Sequence, residues 1–331
     1  MRYVLIVSSK ANPKSLSQLK SALEYVQKNN SELYSKLEIR YTEYAGHASD
    51  LAVELSKQFG DTITIVACGG DGTIHEVANS LAFSKTPMVC MPFGTGNDYV
   101  KTVIPDSKKW DILHYLCNLD KVTVKAIDLI KIDSYDASGE HIKEWSSYMN
   151  NVASIGLDTE VQAMAKVIVA KKDTPFNRNT AYIQAALKAL FGKRGHDFKF
   201  ELELEDGSKY VSDKSRFTLL SICNAGYYGG GFCPAPQADI TDGVADICAI
   251  DDVSLLRAIR LIVLYRLGKH PGNNGVSMLR AKSGVITATA SSGQLMGNYD
   301  GEDFFGQKVR FEVQHEALNL GFFPDGGWKS L

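Results

Sequence analysis

The sequence predicts an α/β domain with a mostly parallel sheet, followed by an antiparallel β-sandwich domain. Up to about residue 120, apolar runs of strand length alternate with segments whose apolar residues recur every three to four positions. That alternation places helices on the faces of a parallel sheet. Beyond residue 121 the period shortens to two, the mark of strands with one buried and one solvated face. At roughly 150 residues per domain, the 331 residues make two domains. The boundary between them is expected near residue 125, where the period changes.

Residues 3–9 (YVLIVSS) form a strand buried on both faces. Leu16, Leu19, Leu23 and Val26 then mark one face of a helix. Residues 37–44 read as a strand, 47–59 as a helix and 62–68 as another strand. Ile74, Val77, Ala78 and Leu81 share a helix face, and 87–93 is the next strand. Residues 106–119 open with cap residues and place Trp110, Leu113, Leu116 and Cys117 on one side. In the second half, 121–132, 198–204, 217–225, 244–250, 284–290 and 308–314 read as strands. Asp206-Gly207 marks a turn, and helical insertions are expected near 160–192 and 252–268.

The bulk numbers exclude several classes. A net charge of −2 makes no electrostatic case for a nucleic-acid partner. Six scattered cysteines without a C-x-x-C pair read as reduced, buried thiols, so a cytoplasmic location is expected. The first residues lack the long apolar core of a signal peptide. No run reaches the ~18 apolar residues of a spanning helix.

Two glycine-rich stretches need an explanation. Gly69-Gly70-Asp71-Gly72-Thr73 follows one apolar strand, and Gly94-Thr95-Gly96-Asn97-Asp98 follows the next. Loops that follow parallel strands lie at the carboxyl edge of the sheet, where open α/β folds bind ligands. Glycine lets backbone approach a ligand closely, and N–H groups at a helix start favour anions. Either loop alone could be a tight turn; two side by side read as a phosphate cradle. Neither is a Walker loop or a G-x-G-x-x-G fingerprint. His75-Glu76 begins like H-E-x-x-H, but position 79 is Asn, so a zinc protease is rejected.

With GGDGTIHEV (69–77), PFGTGNDY (92–99), AIDLIKI (126–132), NVASIGLDTEV (151–161), YYGGGFCPAPQADITDG (227–243) and YDGEDF (299–304), the sequence resembles the diacylglycerol kinase catalytic family. That family includes bacterial lipid kinases and the sphingosine and ceramide kinases. The resemblance implies an ATP-binding α/β domain, a β-sandwich domain for the lipid substrate, and return of the chain from about residue 317 to the first domain. It implies transfer of the ATP γ-phosphate to a lipid hydroxyl, foremost that of diacylglycerol, with Mg²⁺. Gly69, Gly70, Gly72, Thr73, Gly94, Thr95, Gly96 and Asn97 would line the ATP phosphates, with Asn12 and Lys14 nearby. The family's first loop usually carries a glycine that this chain lacks after Ser15. His75 replaces a common Asn and reads as a polar contact.

No Walker lysine is apparent, so a divalent ion must neutralise phosphate charge. Asp71, Asp98 and Asp128 are the carboxylates expected near Mg²⁺, which takes hard oxygen ligands. By resemblance, Asp242 and Asp239 would hold a separate structural Mg²⁺, although an Asp-Gly turn without metal explains the same residues. Asp300-Gly301 reads on its own as a hairpin turn. The resemblance makes Asp300 the general base, supported by Glu302, with Asp71 as the rival base. A lipid substrate implies peripheral contact with the inner face of a membrane. Residues 255–270 and 187–199 combine aliphatic and basic residues suited to it, although a core-packed helix explains them as well. A homodimer is compatible with the sequence. The alternatives are an enzyme like NAD kinase, which shares the Gly-Gly-Asp-Gly-Thr loop, a sphingoid or other lipid kinase, and a non-catalytic nucleotide- or lipid-binding regulator.

Overall fold

The computed structural model describes residues 1–105, 111–171, 175–192, 194–289 and 293–324. The chain divides into two compact units: Met1–Ile127 with the chain from Glu316 onward, and Asp128–His315.

The first unit runs β1 (Arg2–Val7), α1 (Pro13–Asn29), α2 (Ser31–Ser35), β2 (Leu37–Tyr41), α3 (His47–Phe59), β3 (Ile63–Gly69), α4 (Asp71–Ser80), β4 (Met88–Pro92), α5 (Asp98–Val103) and α6 (Ile112–Cys117). All seven residues of β3 are buried, which is why it reads as an unbroken apolar run. β1 lies between β2 and β3, β3 continues to β4, and every one of these pairings is parallel. The loops after β1 and β3 therefore leave beside a change in strand order, the place where such sheets bind ligands. Helix α6 is capped by Asp111, whose side chain accepts from His114 N, and the earlier part of its sequence pattern, residues 106–110, lies outside the described residues. Trp110 lies outside the described residues.

The second unit holds β5 (Thr123–Tyr135, entering from the first), β6 (His141–Met149), β7 (Val152–Gly156), α7 (Leu157–Lys171), α8 (Pro175–Ala189), β8 (His196–Leu204), β9 (Lys209–Val211), β10 (Arg216–Cys223), β11 (Ala245–Asp251), α9 (Leu255–Arg266), β12 (Val276–Ala288), β13 (Leu295–Tyr299), β14 (Glu302–Gly306) and β15 (Lys308–Phe322). Pairing is antiparallel through β14-β13-β7-β10-β11-β12-β15, with β8 on β10 and β12. The far end of β15 crosses into the first unit, where Leu320 pairs in parallel with Met88 of β4.

Strand β10 shows how one sheet serves two cores. Leu220 and Ile222 join Phe198, Phe200, Phe217 and Phe311 between strand layers. Leu219 and Cys223 face the other way, into a cluster with α7, α8 and α9. Five of the six cysteines are buried and none is paired, so they act as small apolar side chains. Phe200 is 1% exposed and stacks on Tyr210 with centroids 5.9 Å apart. Phe200→Ala is expected to cost about 3–5 kcal/mol, read as a lower urea midpoint at unchanged m-value. A loss below 1 kcal/mol, roughly that of one methylene, would show that this core closes around the gap.

Candidate functional site

Three loops meet at the carboxyl edge of the parallel sheet. Ser8 N donates to Cys68 O at 3.0 Å, Phe93 N to Gly69 O at 2.8 Å, and Asn12 N to Phe93 O at 3.4 Å. The Asn12 side chain caps α1 by accepting from Lys14 N at 2.9 Å, with Pro13 in the first turn, so these residues begin a helix beside the glycine loops. The Gly-Gly-Asp-Gly-Thr loop is shorter than its sequence suggests. β3 runs to Gly69 and α4 starts at Asp71, leaving Gly70 as the N-cap. A Cβ at Gly94 would lie 2.5 Å from Gly70 Cα, so the two loops touch backbone to backbone. At Gly69 a Cβ would strike the Thr73 side chain at 2.4 Å.

Asn97 holds the second loop closed. Its Oδ1 accepts from Gly94 N at 3.0 Å and its Nδ2 donates to Gly94 O at 2.8 Å, with Asn97 itself at φ 48°. The sequence expectation of a phosphate donor thus meets a side chain already bound to its own loop. Thr95 is exposed; with Gly96 and Lys101 it borders a cleft of about 300 Å³ that Ser15, Gln18 and Tyr115 also line. His75 is buried, at 7% exposure. Glu76 accepts from Gly46 N and Ala48 N, both at 3.1 Å, and so ties α4 to the start of α3.

The loop contact brings two carboxylates together. Asp71 Oδ1 accepts from Tyr99 N at 3.1 Å, and Asp98 is 5% exposed and ion-paired to Lys101. A side chain at Gly96 would come within 3.2 Å of Asp71 Oδ2 and 3.7 Å of Asp98 Oδ2. Burial first, and the neighbouring Asp98 charge second, raise the Asp71 pKa above the usual carboxylate range. Two hard carboxylates beside a helix start fit a Mg²⁺ that keeps waters and takes its remaining ligands from phosphates. Among the described residues, no group of three or more His, Cys, Asp or Glu side chains forms a metal-binding set.

In the second unit, Asp128 is fully buried. Its Oδ1 meets His315 Nδ1 at 2.7 Å and its Oδ2 accepts from Gly243 N at 2.7 Å, so both oxygens are engaged by protein. Asp242 is ion-paired to Arg280 at 2.5 Å and accepts from Val244 N at 3.2 Å; Asp239 accepts from Thr241 N at 3.0 Å. Burial, opposed by Val244 N–H and Arg280, raises the Asp242 pKa. Asp239 and Asp242 thus support the local turns.

Asp300 and Gly301 sit at φ 49° and 95° between paired Tyr299 and Glu302, a two-residue hairpin turn of the primed type. The Asp300 carboxylate accepts three backbone N–H groups: Asn150 at 2.8 Å, Asn151 at 3.1 Å and Val152 at 3.1 Å. The residue expected as general base also anchors the β6–β7 turn. Glu302 is exposed.

Sequence reasoning gave no role to several residues that matter here. Asn150, Asn151 and Asn224 are each at least 95% buried, with Oδ1 atoms that lack a partner among the described residues. Under α7, α8 and α9 lies a void of about 60 Å³, lined by Leu157, Val161, Leu190, Leu219 and Leu261, with Asp158 as its acid. Asp158 accepts from Ser154 Oγ at 2.6 Å and from Tyr228, and burial raises its pKa against those bonds. Tyr228 meets Tyr265 at 3.2 Å, and Tyr265 meets Ser221 at 2.8 Å.

Two outcomes follow from this geometry. Asp71 binds its proton more tightly folded than unfolded. The stability this gives is present at low pH and lost as pH rises through the raised pKa. Asp71→Asn should therefore raise Tm near neutral pH and remove that fall, as read by calorimetry across pH; a lower Tm at neutral pH would mean the ionised carboxylate is net stabilising. Asp300→Asn sets an amide donor against backbone N–H groups and should cost about 1–3 kcal/mol, measured by denaturant unfolding. An unchanged midpoint would deny Asp300 its anchoring role.

Residues 2–132 match the diacylglycerol kinase catalytic domain, and residues 151–322 match the YegS C-terminal NAD kinase beta sandwich-like domain. A diacylglycerol kinase of Mycobacterium tuberculosis is 31% identical over 222 residues, spanning 67% of this chain and 66% of that protein. A diacylglycerol kinase of Bacillus subtilis is 26% identical over 264 residues, spanning 79% and 77%. The crystal structure of a diacylglycerol kinase from Bacillus anthracis superposes with a TM-score of 0.65 at 19% identity, over 98% of this chain and 97% of that one, a likeness of fold. The chain belongs to the diacylglycerol kinase and YegS family of lipid kinases, which use ATP.

Proposed function

We propose that this kinase phosphorylates diacylglycerol with Mg²⁺ and ATP, giving phosphatidic acid. The observation that carries the substrate is the void of the second unit, apolar except for Asp158 and the hydroxyls around it. An acylated glycerol fits that combination: apolar walls for its chains and hydroxyl donors for its ester carbonyls. Two relatives that share much of the chain bear the name diacylglycerol kinase.

The residues of the first unit supply the phosphoryl-transfer chemistry. The Gly70–Gly94 contact leaves backbone in place of side chains where phosphates must approach, and the start of α4 presents N–H groups to them. Asn12 and Lys14 begin α1 beside these loops. Asp98 is the residue assigned to Mg²⁺, which when bound neutralises phosphate charge. Asp71 is the base, because its raised pKa suits a group that must accept a proton near neutral pH. The substrate hydroxyl gives its proton to Asp71, and its oxygen bonds to the γ-phosphorus. The bond from that phosphorus to the β–γ bridging oxygen breaks, and ADP leaves.

Purified protein with Mg²⁺ and ATP should form phosphatidic acid from dioleoylglycerol in mixed micelles, followed by mass spectrometry. Asp71→Asn should lower kcat by about 10²- to 10⁴-fold while a fluorescent ATP analogue still binds. Near-normal turnover in that variant returns the base to Asp300. Phosphate appearing on NAD⁺, or on a different lipid of a mixed extract, replaces the substrate.

A further inference from the structure

Helix α9 is apolar on two opposite faces. Ala258, Leu261 and Tyr265 are buried, and with Ile262 they line the void. On the other side Leu256, Ile259, Val263 and Leu267 recur at the spacing of one helix face, with exposures of 83%, 38%, 57% and 60%. Exposed Arg257 and Arg260 flank this outer stripe. A helix that is apolar all round is ordinarily covered all round, yet here one side of it faces outward.

The charge around it says what covers it. Residues 253–275 contain no Asp or Glu but include Arg257, Arg260, Arg266 and Lys269, in a chain with 38 acidic residues and a net charge of −2. Arg266 lies over the Phe232 ring at 5.3 Å, which leaves Arg257 and Arg260 as the pair beside the stripe. With 12 residues, α9 is about 18 Å long. No helix among the described residues is long and apolar enough to cross a membrane. An apolar stripe with arginines beside it, on a helix too short to span, is the pattern of a helix lying in the plane of an anionic bilayer. A second copy fits less well, because a two-fold contact through this face would set its arginines against one another.

We infer that the outer face of α9 docks on an anionic lipid surface, with Leu256, Ile259, Val263 and Leu267 entering the acyl boundary and Arg257 and Arg260 meeting lipid phosphates. Its purpose rests on the proposed lipid substrate: one helix then has bilayer on its outer side and the substrate void on its inner side. Its test does not rest on that reading.

The full chain is sedimented with vesicles of phosphatidylcholine, with or without a quarter of phosphatidylglycerol, and with no diacylglycerol present. Wild type should bind the anionic vesicles. Leu256→Glu with Val263→Glu, and separately Arg257→Glu with Arg260→Glu, should each weaken binding by about tenfold or more. Val211→Glu, at an equally exposed apolar position on β9, should not. Each variant should keep the wild-type Tm and its turnover of a short-chain diacylglycerol in detergent. Equal binding of wild type and both α9 variants overturns the inference. So does a wild-type dimer that the Leu256→Glu change splits while vesicles remain unbound. Vesicle binding without phosphate transfer would overturn the lipid substrate and leave the docking face standing; transfer in detergent without vesicle binding would do the reverse.

Discussion

The first unit turns on a contact that no side chain could make. Gly70 and Gly94 approach so closely that a Cβ on Gly94 would lie 2.5 Å from its neighbour's Cα. Two connections of a parallel sheet are thereby held at backbone distance rather than the wider spacing that side chains impose. Asn97 closes one connection on itself, and Gly96 then faces Asp71 and Asp98 without a side chain between them. The pairing of like charges, and with burial the raised Asp71 pKa, is a consequence of that approach. The fold tolerates an unfavourable carboxylate pair where the proposed phosphoryl transfer would use one, a common relation between stability and activity.

The second unit solves a different problem, which is to keep polar atoms inside an apolar layer. Strand β10 sends Leu220 and Ile222 into the sandwich core, and Ser221 the other way to Tyr265. That hydroxyl continues to Tyr228 and Asp158, so the acid beside the void belongs to a bonded chain rather than standing alone. A buried carboxylate without such partners would be costly. Asp300, with three amide donors, is satisfied in the same manner at the β6–β7 turn.

Period and punctuation made much of this legible in the sequence. Helix α3 was readable over 47–59 because its apolar spacing is regular and Gly60 ends it. β1, β3 and β4 were readable because strands buried on both faces are continuous apolar runs. Strands β6 and β7 are not legible, since HIKEWSSYM mixes polar and aromatic residues and VASIG is only five residues long. β12 and β15 are legible only in part. The first half of β12 alternates poorly, and the end of β15 pairs in parallel with β4 of the first unit. Among site residues, the glycines and Asp71 were legible because their spacing is local. Asp158 was not, because an acid near a helix start is ordinary, and its burial comes from helices and strands distant in sequence. Asp300 was legible as a turn residue, whereas its hold on Asn150, Asn151 and Val152 is long-range.

Strand β15 carries a temporal consequence. The parallel sheet of the first unit is completed at β4 by residues around Leu320, made after the whole of Asp128–His315. At about 5–20 residues per second, a ribosome needs roughly 10–40 s to add that intervening unit. Until then β4 is a bare edge of an otherwise buried apolar sheet, with open N–H and C=O groups ready to pair with another chain. If the first unit folds as it is made, it does so with this edge unsealed, and that is the window in which chaperone cover matters most.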